Sequence, residues 1–243
     1  MEKIKLAVFD LSGTTIKDDT AVADSLYKAA VEFGIETERD EFLKLVGTNK
    51  IHLYQYLIAK NAGQNIPFEK FEQVRDSSTE AKATEIFHRY TEIMLDFYRQ
   101  DLTPMPGAVE TFEWLHSKGI KVATNTGFHR DVTDAIMQGL GWVKSGLIDI
   151  AVDVEHTPHN MGRPAPFMIF HAMRELNIQS VHSVIKIGDT PADMLEGYNA
   201  GCSGIIGVLT GMLSIAEWGK YRHTHVIPSV KELPALIESD FNI

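Results

Sequence analysis

Six side chains in this sequence have types and positions suited to chemistry on an anionic substrate: Asp10, Thr124, Thr126, Arg163, Asp189 and Asp193. Asp10, Thr124 with Thr126, and Asp189 with Asp193 each follow a short apolar run. Arg163 lies in the loop Gly162-Arg-Pro-Ala-Pro166 before a helix. Singly, each has an ordinary reading. Asp10 caps a turn, the threonines are turn residues, Asp189 and Asp193 dress a helix start, and Arg163 is a surface arginine. As a set they say more. Two or three carboxylates with oxygen ligands nearby make a site for a hard cation, best suited to Mg²⁺. Hydroxyls and a guanidinium beside it bind phosphate oxygens. A carboxylate in such a site is either a ligand or a nucleophile.

The elements that must bring these residues together are strands. Residues 4–9 read as a buried parallel strand ending on Asp10, where Ser12-Gly13-Thr14 breaks the pattern. Further strands are expected at 120–123, near 147–152, and at 184–187, 205–208 and 225–227, alternating with helices at 108–117, 130–139, 165–176, 191–200 and from 231. Alternation of this kind predicts an α/β fold with a parallel sheet and helices on both faces. Parallel strands place their carboxyl ends on one edge, where such sheets bind ligands. Residues 17–100 read differently, as nearly all helix. The spacing predicts helices at 21–33, from 37 through Val46, across Leu53 to Ile58, and a long one from Pro67 through Phe71, Val74 and Phe97, with a kink within 76–79. The simplest architecture is an α/β core of residues 1–16 and 103–243 interrupted by a helical insertion, 17–102.

Composition narrows the class. A net charge of −10 argues against a general nucleic-acid binder, though a few local cations suffice for a small anion. The single cysteine, Cys202, excludes an internal disulfide and reads as a packed thiol. No apolar run approaches the roughly 20 residues of a membrane helix. Asp10 interrupts the apolar start, and no small-residue cleavage site follows, so a cytoplasmic protein without membrane attachment is the expectation.

At these motifs the chain resembles the haloacid dehalogenase superfamily. Asp10-Leu-Ser-Gly-Thr14 is similar to that family's Asp-x-Asp-Gly-Thr, Thr124-Asn125-Thr126 to its hydroxyl after a strand, and Gly188-Asp189-Thr-Pro-Ala-Asp193 to its Gly-Asp-x-x-x-Asp. The resemblance implies a HAD-like Rossmannoid core with an all-α cap. It implies that Asp10 attacks phosphorus and forms an aspartyl-phosphate. It also implies that Asp10, the backbone carbonyl of Ser12 and Asp189 hold Mg²⁺, with Asp193 in support. Thr124, Asn125, Thr126 and Arg163 would bind the substrate's phosphoryl group.

Two departures point to a subgroup. Ser12 stands where most family phosphatases have an acid–base aspartate, and a serine hydroxyl does not cycle a proton near neutral pH as a carboxyl can. Arg163 stands where the family usually has lysine. Both resemble phosphonoacetaldehyde hydrolases (phosphonatases), as do the phrases 162–168 and 185–197. In that subgroup a cap lysine condenses with the substrate aldehyde, so the carbon–phosphorus bond breaks into an iminium. Lys50 lies at the matching place, and its pKa must fall from about 10.4 towards 7 to serve. The same position also serves simply to grip a substrate. The subgroup has alanine where this chain has Ser12. Its histidine three residues after the lysine is Leu53 here, with His52 one residue early, and its cysteine has no counterpart among residues 17–20.

The catalytic candidates are therefore Asp10, Lys50 and Ser12. The readings are a Mg²⁺-dependent phosphonatase-like hydrolase, a phosphate monoesterase in which Lys50 only binds, and a silent phosphometabolite-binding protein. The resemblance also implies homodimerisation through the first cap helix, 21–33. His156 and His159 read as a solvated loop and Trp114, Trp142 and Trp218 as packing residues.

Overall fold

The apolar runs form six strands: β1 (Leu6–Phe9), β2 (Lys121–Asn125), β3 (Ile150–Val152), β4 (Val184–Gly188), β5 (Gly204–Val208) and β6 (His225–Ile227). The structure, a computed structural model, describes residues 2–18, 20–45, 48–71 and 77–243. The sheet is parallel throughout, in the order β3-β2-β1-β4-β5-β6. The first strand in the chain is thus central, and strand order reverses beside it, where open α/β sheets carry their ligand crevice.

Every residue of β1 is buried, because both faces are covered. Leu6 and Val8 face one cluster with Ala123, Val184 and residues of α8 (Phe167–Glu175) and α9 (Pro191–Ala200). Ala7 and Phe9 face the other, with Val122, Ile185 and residues of α5 (Ala108–Ser117), α6 (Arg130–Leu140) and α11 (Leu233–Asp240). The period of two along the strand assigns the faces.

Between β1 and α5 lie α1 (Ala21–Glu32), α2 (Arg39–Leu45), α3 (Lys50–Asn61) and α4 (Ser77–Gln100). Leu26, Ala29 and Ala30 of α1 join one apolar cluster with Leu53, Tyr54 and Leu57 of α3 and Ile86, Tyr90 and Met94 of α4. Asn49 caps α3 by accepting from the His52 amide. The helical segment leaves and rejoins the sheet domain at one place. Ile16 bridges Pro104, Lys17 N donates to Thr103 O at 2.9 Å, and Met105 N donates to Thr15 O at 2.8 Å. The exposed positions of α1 are Asp24, Lys28, Val31 and Glu32, so this helix turns mostly charge outward.

Some elements differ from the sequence expectation. β3 is shorter than 147–152, because Trp142–Ser145 forms a turn of helix, α7, whose Trp142 carbonyl takes the Leu147 and Ile148 amides. β2 runs two residues further, placing Thr124 and Asn125 within the strand. Among the described residues from Pro67 to Phe71 there is a 3₁₀ turn at Phe68–Lys70, and Phe71 is extended rather than helical. Residues 77–79 open α4, whereas Val46, Gly47, Val74 and Asp76 lie outside the described residues. No described helix is long and apolar enough to cross a membrane.

Candidate active site

β1 delivers Asp10 to the sheet edge, where its amide donates to Ile187 O at 2.9 Å and its carboxylate is buried. Gly13 follows at φ 78, a left-handed turn that suits glycine. β4 delivers Asp189, and α9 begins at once behind it. Thr190 caps that helix, Pro191 fills its first turn, and Asp193 returns Oδ2 to the Thr190 amide and hydroxyl. The helix-start reading of Asp193 is therefore correct for one oxygen. Its other oxygen, Oδ1, lies 3.0 Å from Arg163 Nη1 and 2.8 Å from Lys186 Nζ.

Arg163 is almost wholly buried and ties these carboxylates together. Nη2 donates to Asp10 Oδ1 at 2.8 Å and to Asn125 O and Oδ1 at 2.5 and 2.9 Å. Nε donates to Glu196 Oε2 at 3.2 Å. Burial disfavours the guanidinium, but Asp10, Asp193 and Glu196 more than offset it and raise its pKa. Burial alone would raise Asp193 too, yet Arg163 and Lys186 hold it below the ordinary carboxylate range. Asp10 is pushed up by burial against the pull of Arg163. Asp189 is pushed far up by burial and by its neighbours Asp10 and Asp193.

The residues fit a divalent cation. Asp10, Asp189 and Asp193 each offer an oxygen, all within 4.8 Å of one another. Asp189 Oδ1 accepts from Thr14 Oγ1 at 2.8 Å, and a Cβ on either Gly13 or Gly211 would collide with Oδ2. Two backbones approach this carboxylate as closely as glycine allows. Asp10, Asp193 and Glu196 pair with the buried cations Arg163 and Lys186, whereas buried Asp189 has no basic partner among the described residues. A buried carboxylate left without a cation beside two others suits a hard divalent ion with oxygen ligands.

Above the carboxylates opens a cavity of about 780 Å³, lined by Asp10, Ser12, Asp18, Lys50, Thr126 and Arg163 among others. Lys50 is the first residue of α3, and its Nζ donates to Thr48 O at 2.9 Å. Burial, with Arg163 adding to it, lowers its pKa to about 8. Ser12 Oγ donates to Asp18 Oδ2 at 2.5 Å, and burial pushes the Asp18 carboxyl up.

The structure thus brings Asp10, Ser12, Lys50, Thr126, Arg163 and Asp189 to one cavity, with Asp193 directly behind. Thr124 and Asn125 do not join its lining. Thr124 is buried on β2 with no hydrogen-bond partner for its hydroxyl among the described residues. Asn125 points the opposite way, because neighbours on a strand alternate. Its Nδ2 donates to both Glu196 oxygens, and its Oδ1 accepts from Lys186 and Arg163. Leu53 is core, and His52 packs on Phe68 and Phe71 rather than lining the cavity. His156 closes a capping box with Asp153, Cys202 is buried with its thiol pushed up to about 12, and Trp142 and Trp218 are core.

A family model described as haloacid dehalogenase-like hydrolase matches residues 4–201. The chain belongs to this family. Among curated relatives, a phosphonoacetaldehyde hydrolase of Bacteroides fragilis is 27% identical, the match covering 98% of this chain and 97% of that protein. One of Bacillus cereus is 30% identical, over 86% of this chain and 77% of that one. The fold is also that of a phosphonoacetaldehyde hydrolase-like protein from Oleispira antarctica, with a TM-score of 0.74 and 22% identity over 98% of this chain and 92% of that one.

Beneath the site of this haloacid dehalogenase-like hydrolase lie two charged residues that were not among the candidates from the sequence. Lys186 and Glu196 are fully buried. The signal for Lys186 was present: a lysine inside the apolar run Val184-Ile-Lys-Ile187 must find carboxylates when both sheet faces are covered. Glu196 had no such signal, since a glutamate in a mixed helix reads as solvated.

Proposed function

We propose that this hydrolase cleaves the carbon–phosphorus bond of phosphonoacetaldehyde or a related 2-oxoalkyl phosphonate, with Lys50 as the imine-forming amine. The observation that carries this reading is Lys50 itself: a buried amine with its pKa lowered to about 8, in the same cavity as Asp10. The curated relatives named phosphonoacetaldehyde hydrolase support it.

Asp10, the Ser12 carbonyl and Asp189 would hold Mg²⁺, with Asp193 in support. When bound, the ion lets Asp10 approach an anionic substrate and stabilises charge on the phosphoryl oxygens. Arg163 and Thr126 bind those oxygens; Thr126, rather than Thr124, is on the cavity wall. The neutral Lys50 amine adds to the aldehyde carbon and, with one proton taken up from solvent, the hydroxyl leaves as water, giving a protonated imine. An Asp10 oxygen then attacks phosphorus. The carbon–phosphorus pair moves into the iminium, leaving an enamine on Lys50 and a phosphoryl group on Asp10. Water cleaves the aspartyl-phosphate to inorganic phosphate. Protonation of the enamine carbon and hydrolysis of the imine return Lys50 and release the aldehyde, acetaldehyde for the simplest substrate. The leaving group needs no proton on oxygen, which makes Ser12 intelligible. In this reading residues 17–102 form the cap that carries Lys50 over the site.

The test is phosphate release from phosphonoacetaldehyde with Mg²⁺, native protein against Lys50→Arg, with borohydride trapping. The native protein turns over and is trapped on Lys50, while the variant does neither. A phosphate monoesterase is the second reading, favoured by one observation: Asp18 holds a carboxyl against Ser12, near where the family's acid–base group stands. Turnover of a simple phosphate ester that survives Lys50→Arg, with none of the phosphonate, would establish it instead.

A further inference from the structure

We infer that Glu196, together with Asn125 and Lys186, is a positioning residue for Arg163, setting the guanidinium edge that meets the phosphoryl group. This rests on the reading that Arg163 binds phosphoryl oxygens, and it extends that reading to residues beneath the cavity.

Arg163 has no side-chain freedom where it stands. Its three nitrogens contact five oxygens, on Glu196, Asp10, Asp193 and Asn125 (twice). Two of these partners, Asp10 and Asp193, belong to the acidic cluster that can hold a metal ion, and their charge environment changes when an ion and a substrate enter. Glu196 and Asn125 do not belong to it. They hold the guanidinium from the side away from the cavity, since neither joins its lining. Glu196 is itself fixed on both sides. Asn125 Nδ2 donates to Oε1 at 2.8 Å and Oε2 at 2.9 Å, and Lys186 Nζ lies 3.7 Å from Oε2. Lys186 in turn donates to Asn125 Oδ1 at 2.7 Å and reaches Asp193 Oδ1 at 2.8 Å.

The backbone has been cleared for this arrangement. A Cβ on Gly197, the residue after Glu196, would press on the Lys186 stem at 3.0 Å. Glu196 sits between the exposed Leu195 and the buried Gly197, an apolar residue outward beside a charged one inward, which inverts the usual helix pattern. A buried planar fork with a charged acceptor at Nε has only one orientation. That orientation points Nη2 at Asp10 and Nη1 at Asp193. A lysine in place of Arg163 has no Nε–H for Glu196 to hold, so Glu196 acts on the phosphoryl group only through an arginine.

The test is calorimetric titration of the Mg²⁺-loaded protein with inorganic phosphate, the product common to both readings of the reaction. The proteins are native, Glu196→Gln, Arg163→Lys and the double variant. Glu196→Gln weakens phosphate binding by about tenfold, the usual scale for a residue that orients a binding group. In the Arg163→Lys background the same change weakens it by less than about twofold, the signature of coupled residues. Near-native binding by Glu196→Gln overturns the inference, as do effects of the two changes that multiply. If Glu196→Gln does not fold, the charge-matched pair Glu196→Gln with Lys186→Gln takes its place. Weakened phosphate binding in that folded pair supports the inference, and native binding overturns it. Failure of the native protein to bind phosphate would instead overturn the reading of the cavity, and this inference with it. Loss of carbon–phosphorus cleavage alone leaves the comparison intact.

Discussion

Lys50 combines three influences that disfavour an ammonium: burial, the nearby Arg163 charge, and the first position of a helix, where the backbone dipole is positive. The sign of its pH effect follows. Imine formation needs the neutral amine, whose fraction rises about tenfold per pH unit below the pKa and levels above it. With the pKa at about 8, kcat/KM for phosphonoacetaldehyde is expected to climb with pH and flatten beyond that value. A pH profile flat through that region would show that the amine is not the reacting group. Asp10→Asn is expected to abolish turnover of phosphonate and phosphate ester alike, as well as any acid-stable phosphoenzyme. Retained phosphate binding by that variant would separate catalysis from mere recognition. Most of these residues were legible in the sequence, because Asp10, Asp189 and Asp193 follow apolar runs at strand ends. Thr124 and Asn125 lie off the cavity wall, because the strand continues through them and sends their side chains to its two faces. Glu196 was hidden because burial of a helix glutamate depends on partners far away in the chain.

Among the elements, the start of α3 and the turn after β5 set the site's dimensions. Asn49→Ala removes the side chain that accepts the His52 amide and is expected to cost about 1 kcal/mol of stability, read as a shift in the denaturation midpoint. The same change loosens the turn that seats Lys50, so kcat on the phosphonate falls more than phosphate affinity does. Gly211→Ala acts differently. Its methyl would meet the Asp189 carboxylate, so Mg²⁺ affinity is expected to drop at least about tenfold. Calorimetric titration with the metal measures this directly, and an unchanged affinity would mean that the turn gives way. Element types followed from periodicity, since the strands alternate or are apolar throughout and the helices repeat every three to four residues. The boundaries that moved did so for local reasons. The helical turn at Trp142–Ser145 draws the Leu147 and Ile148 amides onto the Trp142 carbonyl, so the third strand begins only at Ile150.

For the whole molecule, the buried charges link stability to metal and pH. Asp189, and with it Asp10 and Glu196, holds a proton more tightly when folded than an ordinary carboxyl does, while Asp193 is shifted the other way. A raised carboxyl favours folding below the ordinary carboxylate pKa, and that contribution is lost as pH rises through the folded value. With chelator present, Tm is therefore expected to fall as pH rises above about 4. Mg²⁺ should flatten that dependence and raise Tm at neutral pH, by an amount that grows with its concentration. Equal Tm with and without the ion would argue against a divalent cation at this acidic cluster. The parallel sheet and the helical block were both readable from the order of elements along the chain. What the pattern did not convey was the pairing of Arg163 and Lys186 with Asp10, Asp193 and Glu196, since that depends on contacts between residues far apart in sequence.

The two crossings between the helical segment and the sheet lie side by side, joined at Ile16 with Pro104 and at Lys17 with Thr103. A segment whose two ends already touch is a cassette. It can be lifted out and the gap closed by a short turn at little entropic cost, because the distance to be spanned is small. On the proposed reading the sheet, with its carboxylates and Arg163, would remain as an exposed phosphate-binding platform without its amine. On that reading, other lids grafted onto the same doorway would select other substrates, and the residues that choose the substrate could change without disturbing those proposed to handle phosphorus.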